Sequence, residues 1–162
     1  RFLLVRAAEL GVCTMWLPIL WCVFHIIKSI GSRAIGGPID RYGATTIIFI
    51  AWGLYAAVYL GFGLAWQAWQ AWALFCLYGI VQALAEPAEK TMVASLTPDE
   101  HRGLGYGWFD CVVGIAALPA SLLFGLLYDR LGPLVPFAVG ALLALAAAMV
   151  LASISGKRRS VD

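Results

Sequence analysis

Asp110 lies some seven residues inside a long apolar run, about 10 Å along a helix that rises 1.5 Å per residue. A carboxylate at that depth in hydrocarbon is costly unless it is paired, protonated or facing water. It is therefore a candidate proton or substrate site, although a position near a helix end would also let it reach water. His25 is set in a second apolar run, and an imidazole can both donate and accept a proton. It is a candidate for a proton-linked or substrate-contacting group, or a histidine bonded to a neighbouring helix. Tyr78, Gln82 and Glu86 follow one another at i, i+4 and i+8, a polar strip on one helix side. Either the strip lines an aqueous path, or Glu86 is only where the helix leaves the membrane. Lys28 reads as a side chain that snorkels to the interface.

Catalytic chemistry has no support in the sequence. H-E-x-x-H, G-x-S-x-G and G-x-x-x-x-G-K-[ST] are all absent, and no ligand spacing points to a metal or cofactor. Cys13, Cys22, Cys76 and Cys111 show no C-x-x-C spacing and read as small apolar fillers. The basic residues are dispersed, which gives nucleic acid nothing to bind, and the Lys157-Arg158-Arg159 cluster reads as a juxtamembrane anchor.

The elements that must position these residues are membrane spans. The chain is 62% hydrophobic and 12% charged, its mean hydropathy is +0.87, and Ala44 to Ala85 carries no charge over 42 residues. That stretch is about twice the ~20 residues that cross hydrocarbon once. The patch Trp66-Gln67-Ala68-Trp69-Gln70 divides it, with Trp66, Trp69 and Trp72 as an interface belt. Five spans are predicted: Cys13 to Gly31, Thr45 to Ala65, Ala68 to Ala85, Leu104 to Tyr128 and Pro133 to Ile154. They form one all-α membrane domain over residues 1–162, with a polar cytoplasmic loop at 86–102 between the third and fourth spans. In that loop Thr97-Pro98-Asp99-Glu100 reads as a helix start with threonine as its cap. No signal peptide is recognisable in Arg1 to Glu9, so insertion rests on the spans. Eight basic residues (Lys28, Arg33, Arg41, Lys90, Arg102, Lys157, Arg158, Arg159) fall on one side and three (Arg1, Arg6, Arg130) on the other. The positive-inside rule then places the N-terminus outside and the C-terminus in the cytoplasm.

Two further patterns bear on packing. Gly103, Gly107, Asp110, Gly114, Ala117, Ser121 and Gly125 recur every three or four residues in the fourth span, a stripe expected to let two helices approach closely. G-x-x-x-D-R-x-G occurs twice, as Gly36 to Gly43 with Asp40 and Arg41, and as Gly125 to Gly132 with Asp129 and Arg130. The first glycine is expected to admit a neighbouring backbone and the last to take the positive φ of a tight reversal. An internal repeat of this kind is what duplicated transporter folds leave in sequence.

Gly36-x-x-x-Asp40-Arg41-x-Gly43 resembles the motif A loop of the major facilitator superfamily. Glu86-Pro87-Ala88-Glu89-Lys90, Leu96-Thr97-Pro98 and Arg102-Gly103 look like that family's connection between its tenth and eleventh helices, and Gly125 to Gly132 looks like the turn between its eleventh and twelfth. The resemblance implies that the five spans correspond to the eighth to twelfth helices, with Arg1 to Val12 as the outer end of the seventh and its loop. It implies a C-terminal fragment of a secondary transporter that moves a small solute by alternating access, ion or proton coupled, in a bacterial cytoplasmic membrane. The partners are then the lipid bilayer and a missing N-terminal half, and the fragment should not transport alone. Asp40 would cap a helix of that half and help lock one state. The usual basic pair after the motif is Ala44-Thr45 here, and Pro38 holds an aliphatic position, which weakens the lock. Asp110 would face the opposite half without touching His25. The rival reading is a standalone accessory or assembly subunit of the membrane.

The topology is checked by cysteine labelling. A cysteine placed at Lys157 should react only from the inside and one at Gln67 only from the outside; the reverse result for either overturns the orientation.

Overall fold

The structure, a computed structural model, describes residues 2–159 and the side chains of 2–155. Arg1 and the side chains of Lys157, Arg158 and Arg159 lie outside the described part. All regular structure among the described residues is helical: α1 (Phe2–Glu9), α2 (Leu17–Ala34), α3 (Gly36–Tyr42), α4 (Ala44–Leu64), α5 (Ala68–Leu96), α6 (Arg102–Leu131) and α7 (Leu134–Arg159). Single 3₁₀ turns at Thr14–Trp16 and Asp99–His101 precede α2 and α6. Five of these elements are long and apolar enough to cross a membrane: Thr14–Ala34, Ala44–Leu64, Ala68–Leu96, Asp99–Leu131 and Leu134–Ser155. Helices are the form such sequences must take, since hydrocarbon offers no partner for an open backbone N–H or C=O.

Local chemistry fixes the ends. The polar patch that divides the long apolar stretch is a capping box, in which the backbone N–H of Gln67 donates to the side chain of Gln70 at 3.0 Å. Gly43 and Gly132, the last residues of the two repeats, have φ of +82° and +77°, and each donates its N–H back to the helix it ends, to Ile39 O and Tyr128 O. The rest of the repeat behaves differently from expectation. Gly36 has no neighbouring atom where a Cβ would sit, and Gly125 meets only the ring edge of Phe2, so neither admits another backbone.

Residues 86–102 are not an extended loop. α5 continues through Pro87 to Leu96. Pro87 removes one backbone donor, but Ala88 is fully buried in a core with Ile35, Ile39, Ile47 and Ile48, which holds the extra turns in place. Thr97 is the C-cap of α5, not an N-cap; its hydroxyl donates to Val93 O at 2.9 Å, and the turn after it begins at Pro98.

α4 is the hub. It packs antiparallel to both α5 and α7, and α2 lies parallel to α5 on the far side. The larger core cluster joins Phe62 of α4, Phe75 of α5 and Phe137 of α7, with ring centroids 5.5 Å apart for Phe62–Phe75 and 5.8 Å for Phe62–Phe137. Close approach comes from glycines outside the predicted stripe. A Cβ on Gly79 would lie 3.1 Å from Ile27 and 3.2 Å from the backbone oxygen of Phe24, and one on Gly31 would lie 2.7 Å from Ala83. In the stripe, Gly103, Gly107 and Gly114 face open space, and Tyr128 is the one buried residue described in α6. Cys13, Cys22 and Cys111 are on exposed faces and unpaired, so they are not core fillers.

At the end of the bundle opposite α3, α1 is clasped to its neighbours. Arg6 donates to Phe62 O at 3.2 Å and Ala65 O at 2.6 Å, taking up carbonyls at the C-terminal end of α4. Glu9 accepts from Arg6 and from the hydroxyl of Tyr128, which ties α1 to α6.

The glycine contacts are checked by thermal unfolding of the full-length protein in detergent. Gly79→Leu should destabilise by about 1–3 kcal/mol, because α2 must move off α5. Gly53→Ala, where a Cβ meets nothing within 4 Å, should be neutral or stabilising by up to about 1 kcal/mol. Equal behaviour of the two variants removes the close-approach argument.

Candidate functional site

Between α4, α5, α6 and α7 lies an open, mostly apolar groove of about 640 Å³, with Phe2 and Leu3 of α1 and Trp21 of α2 also in its lining, whose polar surface comes from a few side chains. α4 supplies Trp52, Tyr55 and Tyr59, spaced i, i+3 and i+7 on one helix face. α5 supplies Tyr78, Gln82 and Glu89, and α6 supplies Ser121. The Tyr55 and Tyr59 rings stack at 4.1 Å, and Tyr78 lies 6.2 Å and 6.4 Å from them. The Gln82 amide donates to the Tyr78 hydroxyl at 2.7 Å, and the Trp52 indole N–H donates to Glu89 Oε1 at 3.0 Å. Phe124 and Phe137 close part of the wall.

The strip predicted as Tyr78, Gln82 and Glu86 is therefore divided. Tyr78 and Gln82 line the cavity. Glu86 turns away and pairs with Lys28 at 2.6 Å and Lys90 at 2.9 Å, in place of simply ending the helix. Lys28 is correspondingly held by an ion pair and does not snorkel freely. Helix arithmetic accounts for the difference. At about 100° per residue, Glu86 is about 80° around from Tyr78, whereas Glu89, three turns on, is only about 20° off. That count is legible in the sequence, as is the spacing of Trp52, Tyr55 and Tyr59 on one helix face.

The other predicted residues stand outside the cavity. Asp110 is exposed on α6, on the helix's uncovered side and within electrostatic reach of Lys90. It is not inside the bundle as described. His25 is exposed on α2, its ring edge-on to Trp21 at 5.0 Å and Phe24 at 4.9 Å, and it makes no hydrogen bond or ion pair with Asp110. Asp40, Arg41, Asp129 and Arg130 are exposed at opposite ends of the bundle and form no salt bridge among the described residues. Arg41 lies over the ring of Tyr42 at 5.3 Å. α2 turns Leu20 and Phe24 into the core and leaves Trp21, Cys22, His25 and Ser29 outward.

A cavity with an aromatic wall, one carboxylate and an amide–phenol pair can hold a small solute; the described side chains form no nucleophile and base pair around it. The pattern of the Major Facilitator Superfamily matches residues 15–161. An uncharacterized MFS-type transporter of Methanocaldococcus jannaschii is 32% identical over 132 residues, 82% of this chain and 33% of that protein. The chain thus spans about a third of the length of this relative. No solved structure matches it. The five apolar helices, their two glycine-terminated turns and a match over nearly the whole sequence make this chain an integral membrane protein that belongs to the major facilitator superfamily.

Proposed function

We propose that this chain is the C-terminal portion of a secondary active transporter that moves a small solute by alternating access, coupled to a proton gradient. The observation that carries the reading is the family match over residues 15–161, and a site beside Tyr55, near the middle of α4, would sit near the bilayer midplane. Rocking about such a site needs a second set of helices, and the uncovered surface of α6 supports one packed against it. The chain alone does not transport in this reading. Lys28, Arg33, Arg41, Lys90 and Arg102 gather at the α3 end, which supports placing that end in the cytoplasm and the N-terminus outside, in the cytoplasmic membrane.

Asp40 and Asp110 have separate roles here. Asp40 is exposed at the α3 end and forms no salt bridge among the described residues, so it is placed to cap a helix of the other half and hold one state closed. Asp110 is on the uncovered face of α6. When the opposite half closes over it, its carboxylate must be paired or protonated, which links proton occupancy to conformation. His25, on the outward face of α2, meets the same half.

Uptake into proteoliposomes holding the full-length protein tests both. Asp40→Asn should lower transport about ten-fold with normal membrane levels; unchanged transport reduces the motif to a turn. Asp110→Asn should flatten the pH dependence of uptake, and a variant with the parent's profile removes Asp110 from coupling.

A further inference from the structure

The octet that occurs twice in the sequence also folds twice, once at each end of the bundle and in opposite directions through it. α2 leads into Gly36 to Gly43 at one end, and α6 carries Gly125 to Gly132 to the other. The helices that leave the two turns, α4 and α7, pack against each other antiparallel, with Gly63 beside Phe137 and Gly140 beside Tyr59. The equivalence extends to the residues that fix each turn. In the common register of the octets, Ile35, Ile39 and Ile48 correspond to Phe124, Tyr128 and Phe137. The three isoleucines are buried in the core at the α3 end, and the three rings pack in the larger core at the opposite end. Gly43 donates its N–H to Ile39 O at 2.9 Å, and Gly132 donates its N–H to the corresponding Tyr128 O at 3.1 Å.

Two segments related by a two-fold axis in the membrane plane produce such a match. The acid that follows each buried anchor is therefore held in the same setting at both ends. Asp40 follows Ile39 and Asp129 follows Tyr128. Both are exposed, each stands next to an exposed arginine, and neither forms a salt bridge among the described residues. Packing accounts for Ile39 and Tyr128 and places no demand on the carboxylates beyond them.

We propose that Asp129 is the counterpart of Asp40 at the opposite end of the bundle: it caps a helix of the other half there and holds that end closed, so the two acids favour opposite states. This rests on the transport reading above, in which the two halves rock and the two ends close in turn. Removing a contact made in one state alone moves the equilibrium away from that state, so loss of Asp40 and loss of Asp129 act with opposite sign.

Alkylation of a cysteine at Gly107 or at Leu122 tests this in the full-length protein in detergent, with its own cysteines replaced. Both positions are exposed on α6, Gly107 toward the α3 end and Leu122 toward the other, so opening of either end uncovers the cysteine nearer to it. Asp129→Asn should speed alkylation at Leu122→Cys and slow it at Gly107→Cys, by about three-fold or more each, and Asp40→Asn should do the reverse. The two substitutions together should bring both rates back toward the parent's, which a general loosening of the fold would not do. A folded Asp129→Asn protein with the parent's rates, or one that shifts them in the same direction as Asp40→Asn, overturns the proposal. Asp129→Ala gives the same reading should the Asn variant not fold. Rates that Asp129→Asn shifts and Asp40→Asn leaves unchanged remove the lock assigned to Asp40 in the transport reading and leave this inference standing.

Discussion

The ring of Tyr59 lies against Gly140, where a Cβ would stand 2.8 Å from its Cδ1, and the rest of the bundle follows from that contact. Lipid is as apolar as leucine, so helices in a bilayer are held by shape and close contact more than by release from water. A flat ring on a bare backbone lets α4 and α7 approach. Gly63 against Phe137 and Gly61 against Leu74 do the same about one turn and half a turn along, toward α7 and α5. With α4 locked between two neighbours, the face bearing Trp52, Tyr55 and Tyr59 has one direction left to point, which is into the cavity.

The unequal packing of the helices follows from where those contacts stop. α4, α5 and α7 share three interlocked phenylalanines, whereas α6 touches the bundle near Tyr128 and Phe124 and, at its other end, where Gly105 meets Thr97, and shows most of its surface between. Among the described residues, the glycines of its small-residue row meet only the ring of Phe2, at Gly125. The same row that suggested an internal helix contact is, in this bundle, a smooth and uncovered side, with Asp110 placed on it and Ser121 turned toward the cavity. Tight packing on one flank and an open face on the other is an arrangement in which one helix can shift without unlocking the core.

Charge is distributed with the same asymmetry. At the α3 end Lys28, Glu86 and Lys90 neutralise one another across α2 and α5. At the opposite end Arg6 spends its donors on the carbonyls of Phe62 and Ala65 and on Glu9, so a guanidinium substitutes for the water that a helix end would otherwise need. Beside the first of these clusters, Glu89 has the Trp52 indole as its one hydrogen-bond partner among the described residues.

The sequence by itself determined the helical class, the number of spans and both glycine reversals, since these depend on local quantities: run length against hydrocarbon thickness, and the φ that only glycine takes without strain. It also held the family pattern, because a turn such as Gly36 to Gly43 is read within eight residues. What it did not decide is which polar residues share a space. Pro87 and the acids around it suggested a loop, but burial of Ala88 against isoleucines from α3 and α4 extended α5 by three turns and carried Glu89 into the cavity wall. The fourth-span glycines looked like a packing surface, and the contacts formed instead at Gly31, Gly61, Gly63, Gly79 and Gly140, where bulky partners arrive from helices distant in sequence. Periodicity gives the faces of one helix. Which face meets which is set by the fit between two helices, and that fit exists only in the tertiary structure.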